Sequence, residues 1–74
     1  MSDKVADFRG LKCPMPIFKL GKELNTIESG QVLEVMADDP AFKPDVEAFC
    51  KLRKHELVSV TETGGVITAQ IKKS

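Results

Sequence analysis

From Gln31 to Ala37 the side chains alternate, with Leu33, Val35 and Ala37 on one side and Val32, Glu34 and Met36 on the other. That period of two predicts a strand with one buried face. Between Pro14 and Ile27 the period changes. Ile17, Leu20, Leu24 and Ile27 recur at spacings of three and four, the apolar face of a helix, with Lys19, Lys22 and Glu23 on the polar side and Ser29-Gly30 as its stop. A second helix is expected from about Lys43 to Lys54, with Pro44 in its first turn and Phe42, Val46, Phe49 and Cys50 as its apolar stripe. Val5 to Arg9 reads as a short first strand ending at Gly10. Leu57 to Thr63 and Val66 to Lys72 flank Gly64-Gly65, a two-residue hairpin signal. The predicted order is β-α-β-α-β-β, which calls for a mixed four-stranded sheet. Strands separated by a helix favour parallel pairing, and the closing hairpin is antiparallel. Two short helices cover one sheet face and leave the other to solvent or a partner.

Seventy-four residues make one domain, 1–74, close to the size at which a single core just suffices for folding. Hydrophobic residues are 42% and charged ones 30%, which excludes the disordered and membrane classes. Eleven cations balance eleven anions. The chain therefore lacks the overall positive field of a non-specific nucleic-acid binder, and no nucleic-acid partner is expected. The N-terminal residues are polar, and no apolar run reaches signal-peptide or membrane length. A cytoplasmic protein without a membrane partner is the expectation.

The chemistry concentrates at Cys13-Pro14-Met15-Pro16. Proline suits the first turn of a helix, which puts Cys13 at or beside the N-cap, where free N–H groups and the positive end of the dipole stabilise a thiolate. Cysteines in that setting are the reactive ones. Arg9, Lys12, Lys19 and Lys22 add cations to the same region. The competing readings are a small buried apolar residue, a metal ligand and a disulfide partner. The prolines and basic flank oppose the first. A single histidine and one further cysteine are too few for a zinc shell, so no metal is expected. A reducing compartment disfavours a structural bridge to Cys50.

Asp7-Phe8-Arg9-Gly10-Leu11-Lys12-Cys13-Pro14-Met15-Pro16 resembles the opening signature of TusA/SirA-like sulfur-carrier proteins, Arg-Gly-Leu-x-Cys-Pro-x-Pro. Ser29 to Val35, Ala37-Asp38-Asp39-Pro40 and His55-Glu56-Leu57 resemble later blocks of that family in the same order. The resemblance implies a two-layer α/β sandwich. It implies a sulfurtransferase-type carrier that takes sulfane sulfur as a persulfide on Cys13 from a desulfurase or rhodanese-type protein and relays it to an acceptor protein. Thiolation of tRNA, cofactor sulfuration and sulfur oxidation all use such relays. No cofactor is implied. Gly10, Pro14 and Pro16 match positions that shape the site. One departure is Lys54, where many members have glycine; a left-handed cap suits lysine less well, so the end of the second helix is expected to differ in shape.

Two other function classes remain open from the residues themselves. One is a non-catalytic protein-binding or regulatory module that uses the open sheet face or the basic loop. The other is a small dithiol redox protein using Cys13 and Cys50. Cys50 on the apolar stripe is expected in the core, and His55 at a helix end or in solvent. Met15 and Phe18 are candidates for an apolar docking rim beside Cys13, together with the basic residues Arg9, Lys12, Lys19 and Lys22.

Overall fold

A computed structural model describes residues 2–12 and 15–74 of the chain; the predicted helix-start placement of Cys13 and Pro14 lies outside the described residues. The elements run β1 (Lys4–Asp7), α1 (Met15–Leu24), β2 (Val32–Ala37), α2 (Phe42–Arg53), β3 (Glu56–Thr63) and β4 (Val66–Lys72). The architecture is a mixed four-stranded sheet with two helices against one face, as the patterning predicts.

The sheet order is β1-β2-β4-β3, with β1 parallel to β2 and β4 antiparallel to both β2 and β3. Although α2 separates β2 from β3, these two strands are not paired, because β4 lies between them. The burial pattern supplies the reason. In β4, Ile67, Ala69 and Ile71 are buried, so this strand gains most from a central position, whereas β3 is mostly exposed and tolerates an edge. Across the covered face Leu33 pairs with Ile71 and Val35 with Ala69, forming the floor of the core. Phe8, Leu20, Leu24, Ile27, Phe42, Val46, Phe49 and Cys50 pack over that floor. The opposite face is mixed, with Val5, Val32 and Met36 lying among polar residues. Gln70 donates to Glu34 at 3.0 Å, and the Ser59 hydroxyl donates to Gln70 at 3.3 Å, linking three strands.

Beyond one-residue shifts at the ends of β2, α2 and β3, three features depart from expectation. The first strand is Lys4–Asp7 rather than Val5 to Arg9, because Arg9 and Gly10 turn away from the sheet. Helix α1 ends at Leu24, well before Ser29-Gly30. The amides of Asn25, Thr26 and Ile27 reach the carbonyls three residues back, and the Thr26 hydroxyl donates to the Glu23 carbonyl at 2.6 Å, which tightens and closes the helix. Ile27 is still buried, but from the turn beyond the helix. Lastly, Lys54 does adopt the left-handed conformation, with φ 62°, and the His55 amide donates to the Cys50 carbonyl at 2.9 Å. The helix thus ends in the glycine-type cap despite the lysine.

Candidate functional site

The loop after β1 is built from a turn with apolar anchors at both ends. Phe8 is buried and Leu11 packs against the core, while Arg9 and Gly10 between them are exposed. The Leu11 amide donates to the Phe8 carbonyl at 3.2 Å, and Gly10 has φ 87°. A four-residue turn with positive φ at its third position favours glycine there.

Two carboxylates fix the tip of this turn. Asp7 accepts three hydrogen bonds from Arg9, one from its backbone amide at 3.0 Å and two from its guanidinium at 2.9 and 2.7 Å. The Arg9 side-chain bonds, followed by its backbone amide, hold the Asp7 carboxyl down to about 2. Asp38, just beyond β2, accepts the Gly10 amide at 3.0 Å and so ties the loop after β1 to the loop after β2. Asp39 organises the second of these loops by accepting the Ala41 amide at 3.1 Å. Both loops lie at the carboxyl ends of a parallel strand pair, and a helix starts after each. Asp7 and Asp38 were missed as candidate site residues. An aspartate two positions before the residue whose amide it accepts is a local sequence signal for the first; the link from Asp38 to Gly10 has no local signal.

On the far side of Cys13 and Pro14, the Met15 amide donates to the Lys12 carbonyl at 2.8 Å and α1 begins at Met15. Pro16, expected as a shaping residue, is fully buried. Met15, Phe18, Lys19 and Lys22 fall at i, i+3, i+4 and i+7 and all four are exposed, Phe18 by 61%. They form one continuous face of α1 with an apolar upper half and a basic lower half. Lys12 is exposed as well. Among the described residues Lys12, Lys19 and Lys22 make no ion pair, whereas the charge of Arg9 is matched by Asp7.

The other candidate groups have different surroundings. Cys50 is a free, buried thiol whose burial pushes its pKa up to about 11, so it is not a nucleophile near neutrality. His55 is half-buried, stacked on Phe49 with ring centroids 6.1 Å apart, and its Nδ1 accepts the Ser74 amide at 3.2 Å. Among the described residues no group of His, Cys, Asp and Glu converges as a metal site, and no helix is long and apolar enough to cross a membrane.

Comparison with known proteins gives this loop and helix a context. Residues 4–73 match the model of the family described as Sulfurtransferase TusA. The chain belongs to the TusA sulfurtransferase family. The sulfur carrier protein TusA of Allochromatium vinosum is 46% identical over 72 residues, spanning 97% of this chain and 95% of that protein. YrkI of Bacillus subtilis is also 46% identical over 72 residues, spanning 97% and 96% of the two chains. The crystal structure of a SirA-like protein from Desulfitobacterium hafniense superposes with a TM-score of 0.82 over 93% of this chain and 95% of that one at 24% identity, and shows the same fold. Membership of the TusA family makes this chain a sulfur carrier, which works between a protein that supplies sulfur and a protein that accepts it.

Proposed function

We propose that Cys13 is the sulfur-bearing residue of this TusA-family carrier. In this reading its thiolate attacks the outer sulfur of a persulfide on a desulfurase or rhodanese-type donor. The S–S bond of the donor breaks, the donor cysteine leaves as a thiolate, and Cys13 becomes the persulfide. The terminal sulfur is then passed to a nucleophile on an acceptor protein by the same exchange in reverse. Oxidation states are conserved, so the cycle calls for no cofactor. A cytoplasmic location accords with a thiol that has to stay reduced between turnovers.

The observation that carries this reading is the framing of Cys13. A turn pinned by Asp7, Arg9 and Asp38 ends just before it, and α1 begins just after it with an exposed face of Met15, Phe18, Lys19 and Lys22. The start of a helix favours a thiolate over a thiol, and the neighbouring cations Lys12 and Lys19 act in the same sense. Gly10 shapes the turn, Pro14 and Pro16 set the entry to the helix, and the exposed α1 face together with Lys12 and Arg9 meets the partners. The dithiol alternative is disfavoured by the buried, protonated state of Cys50.

The test is alkylation of Cys13 as a function of pH in the Cys50→Ala variant. The midpoint is expected at roughly 3.5–7.5, the span of helix-start and cation-flanked cysteines. A midpoint at or above about 8.5, the value of an unperturbed thiol, would remove the argument from the helix start.

A further inference from the structure

A cleft of about 260 Å³ opens between α1 and the C-terminal end of α2, and none of residues 8–12 lines it. Its cationic lining is Lys22 from α1, Arg53 from the end of α2 and Lys73 beyond β4, with the His55 imidazole beside them; no aspartate or glutamate lines it. Phe49 contributes to its floor and Phe18, exposed, forms its lip. Two of the cations are held in place. The Arg53 guanidinium lies 5.4 Å from the Phe49 ring centre, and Lys73 Nζ donates to the Ile27 carbonyl at 2.7 Å. Among the described residues neither Lys22 nor Arg53 has a carboxylate partner.

Gly21 is the second observation. It sits in the interior of α1, where glycine lowers helix stability relative to alanine. Neither packing nor backbone angle accounts for it. A Cβ at this position would meet only Phe49, at 4.0 Å, an ordinary contact. What the missing side chain does is leave the cleft open, since Gly21 lines it.

We propose that this cleft is a docking notch for acidic side chains presented by a protein partner of the carrier. The positive lining, free of aspartate and glutamate, sets the charge of the occupant, and exposed Phe18 supplies an apolar edge. The cleft is slightly smaller than the roughly 300–1,000 Å³ typical of small-molecule sites, and sulfate stands in for a free small anion in the test. A projecting acidic segment that also covers Phe18 would extend contact from the notch along the exposed α1 face toward Met15. The purpose of the notch rests on the carrier function, but its test does not, because binding is read without any sulfur transfer.

His55 is the chain's single histidine, so its ring proton resonances report on the notch without ambiguity. In the neutral ring Nδ1 is the acceptor of the Ser74 amide, which places the proton on Nε2. Burial disfavours the imidazolium and lowers the His55 pKa, and Lys73 after β4 and Arg53 at the end of α2 oppose a positive charge in the same sense, while Lys22 lines the same cleft from α1. An anion in the notch favours the imidazolium, so binding raises the His55 midpoint and strengthens as pH falls through it.

The probe is a blocked tetrapeptide of three glutamates and one leucine, added to the full chain. Its lysine counterpart and sodium sulfate are added separately at matched ionic strength. The acidic peptide is expected to move the His55 resonances and raise their midpoint. Arg53→Gln should weaken binding by roughly two- to fivefold, as for loss of one solvent-exposed ion pair. Gly21→Leu, which favours the helix and fills the cleft, should abolish binding while the protein stays folded. The proposal is overturned if the acidic peptide leaves His55 unmoved, or if Gly21→Leu binds it as tightly as the unaltered chain. It is also overturned if the lysine peptide or sulfate produces the same shift, since the notch would then not select an acidic segment.

Discussion

Cys50 lies in the core under α2, where the burial that excludes water also keeps its thiol protonated up to about 11. Cys50→Ala should therefore retain sulfur loading and transfer while losing about 1–3 kcal/mol of stability through the small cavity it leaves. The pH dependence has a definite sign. Burial raises the folded pKa above the ordinary value of 9.0, so between about 9 and about 11 the unfolded chain gives up the proton and the folded one keeps it. The contribution of Cys50 to stability is complete below that window and falls as pH rises through it. The stability gap between the parent and Cys50→Ala, measured by urea denaturation, should narrow across this range. A gap that widened would contradict the assigned burial of the thiol. Gly10 shows how much of a site residue is legible locally. Its place in Phe8-Arg9-Gly10-Leu11 announces a turn, and φ 87° follows from the turn type. The Asp38 carboxylate that receives its amide is 28 residues away and only the fold brings it there.

The helices illustrate the same division between local pattern and long-range packing. The stripe Phe42, Val46, Phe49 and Cys50 is buried as its spacing predicts, and β2 buries Leu33, Val35 and Ala37 as its alternation predicts. The end of α1 was not legible in that way, because Ile27 continues the helical period yet reaches the core from a turn. Nor was the insertion of β4 between β2 and β3, which depends on comparing the burial of two strands and not on either strand's own period. Lys54 carries a prediction at this scale. A non-glycine residue in the left-handed region is strained, so Lys54→Gly should stabilise the protein by about 0.5–1 kcal/mol, net of the added freedom of the unfolded chain. A higher urea midpoint with unchanged slope would show it. Destabilisation instead would mean that the Lys54 side chain contributes more than its backbone conformation costs.

At the scale of the whole molecule, formal neutrality leaves recognition to local faces. A carrier has to meet a donor and an acceptor and release both, which suits a limited surface more than a large permanent interface. The exposed face of α1 meets that requirement, with Met15 and Phe18 as its apolar part and Lys19 and Lys22 as its basic part. Charge reversal of Lys12 and Lys19 together should lower the second-order rate of transfer to an acidic partner surface and reduce its salt dependence between about 50 and 500 mM, while alkylation of Cys13 by a neutral reagent changes little. Phe18→Ser should also slow transfer without loss of stability, because the ring is already mostly exposed. Transfer indifferent to charge reversal and salt but sensitive to Phe18→Ser would assign docking to the apolar half of the face. The central claim remains the location of the sulfur, and mass spectrometry of the intact chain and its peptides after incubation with a sulfane-sulfur donor reads it directly. One added sulfur, borne by the Cys13 peptide and lost in Cys13→Ser but kept in Cys50→Ala, is the predicted result; an unmodified Cys13, or an internal disulfide to Cys50 in place of the adduct, would contradict it.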